Sequence, residues 1–137
     1  MKGEQLMEFG TRLDRNSQEH QNYIKDKQVR SVPFPGNFEK ELQNFAANKK
    51  AIAVSFDLDC IQSSESPGVS ALAEVGYSVE HSMEILRVLK KQKMLRHFEL
   101  MEMNPKVDQG NKTAHIAGRL LNELFRNKFG EMSKKRG

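Results

Sequence analysis

One cysteine, Cys60, is all that 137 residues contain. A single thiol excludes an internal disulfide framework and fits a reducing compartment, so a cytoplasmic location is expected. No stretch approaches the roughly 20 consecutive apolar residues that a membrane-spanning helix needs. The start, Met1-Lys2-Gly3-Glu4-Gln5, has a lysine but no apolar core behind it, so it does not read as a secretory signal. Also missing are a helix-turn-helix spacing, a zinc-knuckle cysteine set and any interleaving of basic with aromatic residues. The formal charge of +4 is spread out, with part of it in Lys134-Lys135-Arg136. It reads as a solvated surface with a basic flexible tail over 131–137. Neither nucleic acid nor a membrane is an expected partner.

What is present suits a soluble chain, with 37% hydrophobic and 29% charged residues, long enough for one domain or a piece of one. Leu6 to Gly10 reads as a short strand. Asn16, with Glu19 three residues on, resembles a helix-capping arrangement for a helix through Tyr23 and Ile24. Val29 to Phe34 is a β-like run broken by Pro33 and Pro35. Asn37 is a candidate N-cap for a helix whose Phe38, Leu42, Phe45 and Ala46 form one apolar stripe. After the next strand, Ser78 can cap a helix carrying Met83, Leu86 and Leu89. Leu95 to Met103 reads as a strand. Ala114 to Phe129 reads as a helix burying Ile116, Ala117, Leu120, Leu121, Leu124 and Phe125. Strand and helix alternate four times, which predicts an α/β fold with a parallel sheet and crossover helices.

The central stretch is Ala51-Ile52-Ala53-Val54-Ser55-Phe56-Asp57-Leu58-Asp59-Cys60-Ile61. An apolar run ends in two carboxylates, at the end of a parallel strand where ligands bind in open α/β sheets. Residues two apart on a strand share a face, so Asp57 and Asp59 are expected to reach one site. Acidic oxygens on a rigid strand are donors for a hard cation. The strand before Asn104-Pro105 delivers Glu102 to the same edge. Cys60, with no histidine placed to activate it, reads as a small buried residue.

Ser55-Phe56-Asp57-Leu58-Asp59, then Pro67-Gly68-Val69-Ser70-Ala71, then Glu102-Met103-Asn104-Pro105 resemble, in that order, the arginase–agmatinase–formimidoylglutamase family of ureohydrolases. The helix Thr113-Ala114-His115-Ile116-Ala117-Gly118-Arg119-Leu120-Leu121 is also similar to the family's helix after Asn-Pro. The loop wording Pro-Gly-Val-Ser-Ala is closer to the formimidoylglutamase branch than to arginases. The resemblance implies the C-terminal half of a three-layer αβα fold, as a single partial domain over 1–137. It implies two manganese ions sharing a hydroxide that attacks an amidine carbon. Asp57 then matches a metal-bridging aspartate, Asp59 a neighbouring metal ligand, and Glu102 the carboxylate that pairs with a cationic substrate.

The family's remaining metal ligands come from a Gly-Gly-x-His-type turn and an Asp-Ala-His-x-Asp strand end. Neither is present in this sequence. His20, His81, His97 and His115 lie in other contexts and read as surface or packing residues. Two aspartates cannot assemble a two-metal site, so the chain by itself is expected to be inactive. It reads as a truncated gene product, one half of a split frame, or an excised piece. An arginase- or agmatinase-type amidino hydrolase fragment and a non-catalytic interaction remnant remain open alternatives. A homo-oligomer, or pairing with a missing N-terminal half, would cover the faces a half-sheet leaves bare.

Overall fold

In the computed structural model, which describes residues 2–12 and 14–126, short apolar runs become strands and the amphipathic stretches between them become helices. The expected tail over 131–137 and the expected helix end at Phe129 lie outside the described residues. The chain divides into two compact units, Met1–Asn48 and Lys49–Gly137.

In the first unit β1 (Met7–Thr11) pairs in parallel with β2 (Arg30–Pro33), and α1 (Gln18–Asp26) makes the crossover. A parallel pair cannot be closed by a tight hairpin, so a helix between the strands is the natural connection. Ser17, not the neighbouring Asn16, caps α1: its backbone is extended and its hydroxyl accepts the amide of His20. Asn37 caps α2 (Phe38–Ala46) by accepting the Lys40 amide. Leu42 and Ala46 are buried, and Phe38 meets Phe9 edge-on with ring centroids 4.9 Å apart. Such aromatic pairs contribute beyond their burial.

In the second unit β3 (Ile52–Asp57) pairs in parallel with β4 (Leu95–Met101), joined through α3 (Val79–Lys90), and α4 (Lys112–Phe125) follows. Ser78 caps α3, accepting the His81 amide at 3.1 Å. The two strands end sooner than the sequence suggests. β3 stops at Asp57 because Leu58, fully buried, draws the chain into a 3-10 turn over Leu58–Cys60. β4 stops at Met101 because Glu102 turns left-handed, with φ of 66°. α4 begins two residues before the expected Ala114, after a 3-10 turn over Gln109–Asn111.

The core of this unit is Leu58 and Ile61 with Leu86 and Leu89 from α3 and Leu120 and Leu124 from α4, all withdrawn from solvent. Leu121, expected on the buried stripe, is 37% exposed, because the packed face of α4 follows Ile116, Leu120 and Leu124. Glu123 of α4 sits between Arg87 and Lys90 of α3, at 3.7 and 3.9 Å. One face of the β3–β4 pair packs inward through Ile52 and Phe56, with Phe56 near Phe98. The other carries Ala53, Ser55, Asp57, His97, Glu99 and Met101, all exposed. Parallel sheets are ordinarily covered on both faces.

The interlocked leucines set the expected cost of truncation. Leu120→Ala should lower unfolding free energy by about 2–5 kcal/mol, whereas Arg119→Ala on the exposed side should stay within about 0.5 kcal/mol. Urea denaturation of the two variants against the parent measures both.

Candidate active site

Parallel pairing puts the C-terminal ends of β3 and β4 side by side, with Asp57 opposite Met101 and Glu102 one residue beyond. Asp57 lies on the exposed face, and the Ser55 hydroxyl donates to its Oδ1 at 3.4 Å, a long contact. Asp59 is not on the strand. It sits in the 3-10 turn between buried Leu58 and half-buried Cys60, so strand alternation does not govern where it points. The expectation of a shared strand face for Asp57 and Asp59 is corrected accordingly. Glu102 is exposed, and its carboxylate makes no ion pair among the described residues. Among those residues no three His, Cys, Asp or Glu side chains gather closely enough to hold a metal ion. Asp57 and Asp59 offer the hard oxygen donors that Mn²⁺ takes, but a full set is about six.

The histidines serve locally. His20 pairs with Glu8 at 3.1 Å, His81 stacks on Tyr77 with centroids 4.9 Å apart, and His97 approaches Glu99 at 3.4 Å. His115 is exposed on α4. Burial, and then the neighbouring Cys60, push the Tyr77 phenol above its ordinary value and keep it protonated.

The segment after β3, with Ser63, Ser64, Glu65 and Ser66 near its start, is folded back and packed. The Gln62 amide donates to Tyr77 O at 2.9 Å, Tyr77 N to Cys60 O at 2.9 Å, and Ser63 N to Ala73 O at 2.7 Å. Val69, Ala73 and Ser66 are buried. Glu65 accepts the Val79 amide at the start of α3, adding a second cap to Ser78. The segment is tied to the end of β4 by an antiparallel bridge between Val69 and Met103 and by the Asn104 amide donating to Gly68 O at 2.8 Å. The Asn104 side-chain amide donates to the Ser70 hydroxyl at 2.9 Å. An open groove of about 550 Å³ lies over this junction. Pro67, Val69, Leu72 and Val107 give it an apolar wall, and Ser70 and Asn104 add uncharged polar groups.

Two residues overlooked in the sequence hold the junction to α4. The Gly68 amide donates to the Thr113 hydroxyl at 2.7 Å, and Thr113 is fully buried. Asp108 accepts the Thr113 amide on Oδ1 at 2.9 Å and the Ala114 amide on Oδ2 at 3.0 Å. Only glycine fits at position 68: a Cβ there would lie 2.6 Å from Cβ and Cγ of Asp108. Partial desolvation pushes the Asp108 carboxyl up, but the Thr113 and Ala114 amides, the Thr113 hydroxyl and nearby His115 together hold it below the usual value. An acidic residue a few positions ahead of a helical run was the available signal, since Asp is a favoured cap.

A parallel α/β unit with acidic and amide side chains gathered at the ends of adjacent strands defines the class. A family model described as the arginase family matches residues 1–126, and the chain belongs to that family. A formimidoylglutamase from Aeromonas salmonicida is 31% identical over 102 residues, covering 74% of this chain and 32% of that protein. A formimidoylglutamase from Paraburkholderia xenovorans is 34% identical over 106 residues, covering 76% of this chain and 32% of that protein. A formiminoglutamase from Trypanosoma cruzi, solved with Mn²⁺, superposes with a TM-score of 0.81 at 23% identity, covering 90% of this chain and 44% of that one. The chain thus spans about a third of the length of these curated relatives.

Because the folded pKa of Asp108 is depressed, its contribution to stability is complete above the unfolded value of about 3.9 and is lost as pH falls through the folded value. The difference in melting temperature between the parent and Asp108→Asn should therefore be present at pH 7 and close in more acidic solution, below about pH 4. Melting curves of both proteins between pH 7 and pH 2 measure it. A gap that persists unchanged to pH 2 contradicts this role for the carboxylate.

Proposed function

We propose that the chain is part of a manganese-dependent, formimidoylglutamase-like hydrolase that converts N-formimidoyl-L-glutamate and water to L-glutamate and formamide, a step in histidine breakdown. The observation that carries this reading is the junction itself. The end of β3 at Asp57, the Pro67-Gly68 loop and the segment Glu102-Met103-Asn104-Pro105 that follows β4 lie at one sheet edge. The identity to formimidoylglutamases supports the branch. Asp57 and Asp59 are the metal-binding residues and Glu102 the substrate-binding one. A formimino group is a cation, and it needs a counter-charge where water is excluded. Glu102, which has no ion-pair partner among the described residues, is placed to supply it.

The donor set in this chain is partial, so no catalytic step is assigned to a metal here. Further ligands must come from additional polypeptide, either a preceding segment or a second chain. Alone, residues 1–137 are inactive. The single cysteine supports a reducing, cytoplasmic setting.

Two measurements test this. With added Mn²⁺, the isolated chain should release no formamide from N-formimidoyl-L-glutamate above the uncatalysed rate; robust turnover would end the claim that the site is incomplete. Residues 51–126 grafted in place of the matching segment of the Aeromonas salmonicida enzyme should give manganese-dependent turnover. In that graft Glu102→Gln should lower kcat/KM by about 100-fold or more, the loss expected when a cationic substrate loses its counter-charge. Urea release from arginine or agmatine by the graft, without formamide release, would move the assignment to another branch of the family.

A further inference from the structure

We propose that Asp108 is a positioning residue for Glu102, acting through the Thr113 hydroxyl and the Gly68 backbone. The inference rests on reading Glu102 as the substrate's counter-charge, but neither its geometry nor its test involves turnover. Glu102 has a φ of 66°, a left-handed conformation that an L-residue keeps only where its surroundings impose it. Its own side chain makes no hydrogen bond among the described residues, so the constraint acts through the backbone on either side. Upstream, the β3–β4 ladder holds the chain to Met101, opposite Asp57. Downstream, Met103 is bridged to Val69, and Asn104 donates its amide to Gly68 O at 2.8 Å. The position of Glu102 therefore depends on where residues 68 and 69 sit.

Those residues are fixed from the other side. Gly68 N donates to the Thr113 hydroxyl at 2.7 Å in a buried setting. The residue that carries this hydroxyl is held in turn by Asp108, whose Oδ1 accepts the Thr113 backbone amide at 2.9 Å. Asp108 cannot swing away, since the Thr113 and Ala114 amides each hold one of its oxygens. Gly68 also lies close against Asp108, since a Cβ at that position would stand 2.6 Å from Cγ of Asp108. The line runs from the α4 N-terminus through Asp108, Thr113, Gly68 and Asn104 to Glu102. A carboxylate that served α4 alone would need only the two amides. Its close fit to Gly68 belongs to the second task.

The test reads the backbone of Glu102 by NMR on the full chain. Its three-bond HN–Hα coupling reports φ, and amide-exchange protection at Gly68 and Asn104 reports the two connecting hydrogen bonds. Asp108→Ala and Thr113→Val should move the Glu102 coupling towards the extended value and lower protection at Gly68 and Asn104 by roughly tenfold. The ladder amides of β3 and β4 should stay within about twofold of the parent. Thr113→Ser, which keeps the hydroxyl, should retain the parental coupling, and Asp108→Asn, which keeps one acceptor, should fall between. An unchanged Glu102 coupling, with loss confined to the first turn of α4, would reduce Asp108 to a helix cap and overturn the proposal. Equal loss of protection across β3, β4 and α4 would also overturn it, by making the effect one of general stability. Should Glu102→Gln leave the grafted enzyme active, the substrate role fails while these readings keep their meaning.

Discussion

Parallel pairing of β3 with β4 is the constraint on which the rest of the second unit depends. Parallel strands cannot be joined by a short turn, so the chain between them must travel back along the sheet and return. Everything between Cys60 and Met94 is that return path, and α3 is its main stride. The geometry has a chemical result. Both strands release their chains at the same edge, so the segment after Asp57 and the segment after Met101 emerge together and touch. An antiparallel pair would have placed them at opposite ends. Val69 meets Met103, and Gly68 meets Asn104, because the strands run the same way.

Where the two segments meet, backbone polar groups are taken out of water and each must find a partner. The solution combines a glycine, a threonine and an aspartate. Gly68 allows the approach, the Thr113 hydroxyl takes its amide, and Asp108 takes the amides that α4 leaves unsatisfied at its start. The segment 62–77 is consequently packed more like a core element than a solvated loop, with Ser66, Val69 and Ala73 all buried. A functional loop held on a rigid base is a common way for α/β proteins to present side chains with small positional spread. Glu102, turned left-handed, lies at the rim of this base.

The same unit also has features of incompleteness. One face of a parallel pair is open to solvent, and it carries Asp57 beside Glu99 and His97. Asp57 ends β3 and Asp59 follows it in the 3-10 turn, and among the described residues no third His, Cys, Asp or Glu joins them closely enough to hold a metal ion. The chain belongs to the arginase family yet spans about a third of its curated relatives, and both observations are consistent with that fraction.

Sequence alone determined what depends on neighbours in the chain. Helix stripes, the caps Asn37 and Ser78, and the alternation of strand with helix follow from local spacing and local hydrogen bonds, and they predict the parallel α/β class. Order along the chain was also enough to bring the Asp57, Gly68 and Glu102 motifs to one edge. Only the tertiary structure decided the rest, because it turns on contacts between residues far apart in sequence. β3 ends at Asp57 because the core takes in Leu58, and Asp59 leaves the strand with it. Leu121 faces outward because α3 meets α4 along another line. Gly68 looks like a turn residue until Asp108 is placed against it, and the left-handed backbone of Glu102 lies two residues before the Asn104 amide that donates to Gly68 O. Periodicity records which side chains avoid water, while the edges of elements are set by which distant groups claim the next residue.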